Sequence, residues 1–122
     1  MTGRARVAVT SRLPGAAVAG LEQAHEVRVH AGEPITGEDE LAEFIADADA
    51  ALTLLQNPVT DGVLERCQRL KVVGNCAVGF DNIDLEAARS RGVWVTNTPD
   101  VLTEATADLT WALILAATRR LG

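Results

Sequence analysis

None of the ten glycines in this sequence forms a Gly-x-Gly pair, so the G-x-G-x-x-G dinucleotide fingerprint is absent. The phosphate loop G-x-x-x-x-G-K-[ST] is missing too. Gly74 and Gly79 have its glycine spacing, but Phe80-Asp81 follows where lysine and a hydroxyl residue are needed. Basic side chains are few, 11 against 17 acidic for a net charge of −6, and no stripe gathers them, which excludes the footprint of a nucleic-acid binder. Cys67 and Cys76, the only two cysteines, match no zinc or redox spacing, so a reduced, cytoplasmic chain is expected. The longest wholly apolar run, Trp111–Ala117, is far short of the roughly 20 residues a membrane span needs. Arg4 and Arg6 are followed by no apolar stretch or cleavage site, so no signal peptide and no membrane partner is expected. No metal site is evident.

What is present is a regular alternation of elements. At 122 residues the chain is expected to form one domain that buries about two-thirds of its unfolded area. Arg6–Thr10 (RVAVT) reads as a first strand. Pro14-Gly15 break it, and a short helix is predicted over Ala16–Ala24 with Val18 and Leu21 inward. His25–His30 (HEVRVH) is a second strand with Val27 and Val29 on one face. Thr36 with Asp39 three residues on resembles a capping box for a helix over 38–47, whose Leu41, Phe44, Ile45 and Ala48 fall on one stripe. Ala50–Leu55 (AALTLL) is almost wholly apolar, as a central parallel strand covered on both faces would be. Asn57-Pro58 turns the chain, Thr60 caps a short helix, and Leu70–Gly74 is the fourth strand. Asp84 caps a helix over 85–91, Arg89 and Arg91 complement its negative end, and Gly92 terminates it. Val93–Thr96 is a fifth strand stopped by Pro99, and a longer helix follows from Thr103 to Leu121. Strand and helix alternating in this way give an α/β fold, a doubly wound parallel sheet of five strands.

The last helix carries Trp111–Ala117 (WALILAA), apolar around its whole circumference. Such a helix is buried on all sides, and one small sheet covers only one side. It is therefore either a central core helix or one that another domain or subunit covers.

Val72–Asp84 (VVGNCAVGFDNID) is the most informative stretch for chemistry. It leaves the carboxyl end of a strand, where open α/β sheets bind ligands, and turns through Ala77-Val78-Gly79. Successive N–H groups there form an anion-binding nest, or the glycine only makes the turn. Asp81, Asn82 and Asp84 offer acid/base or cation chemistry, but a helix cap and turn residues account for them better. The Leu55-Gln56-Asn57-Pro58 loop leaves the same end of the sheet, facing the same crevice or serving as an ordinary turn. His25 and His30 lie five residues apart in one strand and so point to opposite faces. Cys76 reads as a small buried hydrophobe, not a reactive thiol.

Read together, VGFDNID (78–84), RGVWVTNTPDVLTEATAD (91–108) and the apolar helix resemble the D-isomer-specific 2-hydroxyacid dehydrogenases, above all their glyoxylate/hydroxypyruvate reductase branch. The likeness extends over nearly the whole chain. It implies that residues 1–99 form the flavodoxin-like substrate (catalytic) domain and 100–122 an interdomain helix, with helix 103–121 taking part in a homodimer. It implies that main-chain amides of the Val78-Gly79 loop hold the carboxylate of a small 2-oxo or 2-hydroxy acid, helped by Leu55 and Gln56. Val78 and Thr106 would lie near the cofactor, NAD or NADP in this family. The glycine-rich cofactor loop, the carbonyl-polarising arginine and the proton-transferring histidine follow Arg120 in family order, and this sequence contains none of them. The chain is thus expected to hold no catalytic residue, to bind NAD or NADP weakly and to reduce glyoxylate or hydroxypyruvate only as part of a whole enzyme. The rival expectation is a non-catalytic α/β module that binds a small acid or a partner protein.

Overall fold

A computed structural model describes residues 3–122. Five strands, β1 (Arg6–Val9), β2 (Glu26–Val29), β3 (Ala50–Thr53), β4 (Val72–Asn75) and β5 (Trp94–Thr96), alternate with helices α1 (Ala17–Ala24), α2 (Glu38–Ile45), α3 (Asp61–Arg66), α4 (Leu85–Ser90) and α5 (Thr103–Arg119). The strands pair in parallel in the order β2-β1-β3-β4-β5, the flavodoxin-like arrangement. The alternation read from the sequence is thus the observed one, with element ends moved by at most two residues.

The main apolar cluster lies on one side of the sheet. Ala8, Ala51 and Val73 face Leu41, Ala42 and Ile45 of α2, Val63 and Leu64 of α3, and Ala87 and Ala88 of α4, all buried. Leu41, Ile45 and Ala48 are buried and Phe44 is packed against them, so the helical stripe expected for α2 is where its spacing put it. Two caps are also as read: Thr60 accepts from Val63 N at 3.4 Å and Asp84 from Ala87 N at 2.9 Å. Gly92 ends α4 at φ +69°, a conformation that costs residues with a Cβ.

Four expectations are corrected. The Thr36–Asp39 capping box does not form: the N-cap of α2 is Gly37, with no side-chain cap, because Asp39 Oδ1 instead accepts from Arg66 Nη1 at 2.8 Å. Val18 and Leu21 are only half-buried, and α1 has no buried residue. The third strand is not covered on both faces. Ala51 and Thr53 are buried, but Ala50 and Leu52 are half-exposed, since α1 alone lies on their side of the sheet. A groove of about 460 Å³ runs there between Leu21 and His25 and the strand residues Ala50, Leu52, Val72 and Thr96. Finally, α5 is no core helix. None of its residues is buried, and Trp111 stays 65% exposed. Its longest wholly apolar run is Trp111–Ala117, with Glu104, Asp108 and Arg119 in the flanks. The expected long apolar helix is therefore present only as this short stretch, and no helix among the described residues is long and apolar enough to cross a membrane.

His25 and His30 do face opposite sides, His25 lining the groove and His30 meeting the Phe44 ring edge-on at 5.4 Å. At the amino ends of the strands, Asp49 ties three elements. It accepts from Arg6 N and from Arg69 Nη2, each at 2.9 Å. The Arg6 amide, followed by the Arg69 guanidinium, holds its carboxyl below the ordinary range. Such a group adds stability above its unfolded pKa, near 3.9, and that contribution is lost as pH falls through the lower folded value. Asp49→Asn is therefore expected to flatten the fall in urea midpoint as the pH drops below about 4. An unchanged slope would remove Asp49 from the acid response.

Candidate functional site

The carboxyl ends of β1, β3 and β4 meet in a set of buried amide and hydroxyl groups. Thr10, Thr53, Asn57 and Asn75 are all at most 2% exposed, and buried polar side chains must find partners. Asn57 Oδ1 accepts from Thr10 Oγ1 at 2.6 Å and from Leu54 N at 2.7 Å, while its Nδ2 donates to Ile35 O at 2.8 Å. Asn75 Oδ1 accepts from Thr53 Oγ1 at 2.8 Å. Asn82 joins the two loops: its Nδ2 donates to Leu54 O at 3.1 Å and Asn57 O at 3.0 Å, and its Oδ1 accepts from Asn75 Nδ2 at 3.0 Å. The 54–58 loop and the 76–80 loop are thereby locked side by side.

Their outer faces form the crevice. Leu55 is 56% and Val78 41% exposed. Leu55 Cδ2 lies 3.8 Å from where a Cβ on Gly79 would sit, so the structure brings Leu55, Val78 and Gly79 together. The carbonyls of Ala77, Val78 and Gly79 are all held. Ala77 O accepts from Thr98 N at 2.9 Å, Val78 O from Asn97 Nδ2 at 2.8 Å, and Gly79 O from Asn75 Nδ2 at 3.0 Å. The Val78 and Gly79 amides, by contrast, donate to no acceptor among the described residues, and neither do those of Leu55 and Gln56. Since N–H and C=O point oppositely across a trans peptide, holding the Ala77 and Val78 carbonyls from the β5 side turns both amides toward the β3 side, where Leu55 and Gln56 stand. Neither loop carries a charged side chain between 54 and 58 or between 76 and 80, so an anion there depends on main-chain donors.

The other candidates divide. The Gln56 side chain is exposed at the crevice edge and has no hydrogen-bond partner among the described residues. Thr106 sits in the first turn of α5, exposed, with no bond to either loop. Asp84 is a cap, as its position implied. Asn82 is more than a turn residue, being the link just described. No three His, Cys, Asp or Glu side chains among the described residues group closely enough to hold a metal. Cys76 is half-buried, and burial pushes its thiol pKa up, which disfavours the nucleophilic thiolate. Sequence reasoning missed Thr10, Asn75 and Asn97 altogether and read Asn57 only as a turn. One signal was available: Asn75 ends β4, Asn97 follows β5 directly and Asn57 follows β3 closely, which puts three asparagines at one edge of a parallel sheet.

Comparison with known proteins gives a consistent result. Residues 7–120 match the family described as D-isomer specific 2-hydroxyacid dehydrogenase, catalytic domain. The glyoxylate reductase of Thermococcus onnurineus is 44% identical over 116 residues, covering 95% of this chain and 35% of the relative. That of Pyrococcus furiosus is 45% identical over 114 residues, covering 93% and 34%. A crystal structure of a protein from Thermus thermophilus superposes with a TM-score of 0.88 at 46% identity, over 95% of this chain and 37% of that one. The 2-hydroxyacid dehydrogenase of Ketogulonicigenium vulgare superposes at 0.73 with 32% identity, over 95% and 36%. The chain spans about a third of the length of these relatives. With sequence and fold matched along almost all of its residues, the chain belongs to the D-isomer specific 2-hydroxyacid dehydrogenase family, within that family's catalytic domain.

Proposed function

We propose that this chain is the substrate-binding part of an NAD(P)-dependent oxidoreductase that reduces small 2-oxo acids, such as glyoxylate and hydroxypyruvate, to D-2-hydroxy acids. The observation that carries this reading is the pair of adjacent amides at Val78 and Gly79, without an acceptor among the described residues and turned into the crevice beside Leu55 and Gln56. A carboxylate spans two neighbouring N–H donors, and each such charge-assisted bond contributes about 1.5–3 kcal/mol. Two of them, less the cost of immobilising a small ligand, correspond to an affinity on the order of 1 mM.

Residues 1–99 serve in this reading as the substrate domain and 100–122 as the interdomain helix. The residues present do not by themselves make a dinucleotide cradle, since no Gly-x-Gly follows a strand. Val78 and Thr106 are the positions proposed to lie near NAD or NADP, and the isolated chain is proposed to be inactive. The segment Trp111–Ala117, in which no residue is buried, is the surface proposed for a homodimer.

An NMR titration with oxamate, a non-reacting analogue of a 2-oxo acid, tests the cradle. The amide signals of Val78, Gly79, Leu55 and Gln56 are expected to move with a dissociation constant on the order of 1 mM. The same sample is expected to consume no NADPH with glyoxylate. Shifts confined to other residues would overturn the assignment, and turnover above the blank would overturn the inactivity.

A further inference from the structure

We infer that Asn97 is a positioning residue that aims the Gly79 amide at the substrate carboxylate; this rests on the cradle proposed above. Of the three carbonyls held in the 76–80 loop, two are held from the segment that leaves β5. The Thr98 main-chain amide holds Ala77 O at 2.9 Å, and the Asn97 side chain holds Val78 O at 2.8 Å. Only the second of these bonds depends on side-chain identity. The peptide plane between Val78 and Gly79 has two ends. Its carbonyl end is pinned by Asn97, and its N–H end meets no acceptor among the described residues. Without Asn97 the plane is free to rotate about its flanking dihedrals, and glycine at 79 resists such rotation less than any other residue. A wrongly turned plane presents a carbonyl dipole to the carboxylate where a donor is required.

Asn97 touches no part of the proposed ligand position, because it stands on the β5 side of the loop while the crevice opens on the β3 side. Its effect is preorganisation: the donor is oriented before the anion arrives, so that cost is not taken from binding. It is also half-exposed, unlike the buried Asn57 and Asn75 that hold the loops together. Removing its side chain therefore alters the orientation of one peptide and leaves the fold in place.

The experiment compares the 122-residue chain with its Asn97→Ala and Thr98→Ala variants, using residual dipolar couplings and oxamate titration by NMR. Thr98→Ala keeps the main-chain bond to Ala77 O and is expected to match the parent in both measurements. Asn97→Ala is expected to change the Gly79 N–H coupling while those of Leu41 and Ile45 in α2 stay fixed. It is also expected to weaken oxamate about tenfold, as the loss of one charge-assisted bond would, with a melting temperature within about 3 °C of the parent. An unchanged Gly79 coupling with unchanged oxamate affinity would overturn the role of Asn97. A parent chain whose Val78 and Gly79 amides ignore oxamate would instead overturn the cradle, and with it the ligand that Asn97 serves.

Discussion

Replacing Asn57 by alanine is expected to lower the unfolding free energy by about 3 kcal/mol, more than a hundredfold in the folding constant. The size follows from what the side chain holds. Thr10 Oγ1, Leu54 N and Ile35 O all bond to it, and Thr10 and Ile35 are at most 2% exposed. Water cannot easily replace the lost partner there, so each group left unsatisfied costs about 1–3 kcal/mol, against the roughly 1 kcal/mol net of an ordinary hydrogen bond. Urea unfolding followed by tryptophan fluorescence or circular dichroism reads the loss as a lower midpoint. Thr10→Val is the companion variant. It removes one donor and leaves Asn57 Oδ1 still bonded to Leu54 N, so about 1 kcal/mol is expected. A cost for Asn57→Ala below that of Thr10→Val would mean that the three bonds contribute little.

The double substitution Trp111→Asp and Ile114→Asp is expected to weaken self-association by about a hundredfold or more. Trp111 and Ile114 are 65% and 46% exposed, on a helix none of whose residues is buried. Monomeric proteins rarely leave a contiguous apolar patch of more than a few hundred Å² in water. A helix paired with its own copy about a twofold axis removes such a patch from both chains at once. Truncating an aromatic anchor at the centre of such a contact commonly costs about 2 kcal/mol or more, and placing carboxylates opposite each other adds repulsion. Light scattering coupled to size exclusion gives the mass directly. A dimer that becomes a monomer in the double variant is the expected result, and a parent chain that stays monomeric at the highest concentration reached would remove α5 as the contact.

The framework of the fold was legible because it depends on local signals. The alternation in RVAVT, the stripe Leu41–Phe44–Ile45–Ala48 and the caps Thr60 and Asp84 each depend on residues within one or two turns or one strand. What stayed hidden depends on residues far apart in the chain. Asn57-Pro58 has the composition of an exposed turn, yet Asn57 is buried because Thr10 and Ile35, 47 and 22 residues away in sequence, supply its partners. Asn97 has no signature at all until Val78, 19 residues earlier, is seen beside it. The run AALTLL shows that two faces of a strand are apolar, but not which of them is covered. The Val78-Gly79 loop was found from its glycine and its place after a strand, whereas the free amides that give it meaning are visible only in three dimensions.

With α2, α3 and α4 packed on one side of the sheet and only α1 on the other, the two sides carry different duties. The packed side holds the main apolar cluster of the chain. The bare side buries Val7 beside the groove but leaves Ala50, Leu52 and Val72 half-exposed, so a methyl lost from those three removes less apolar contact than one lost from Ala51 or Val73.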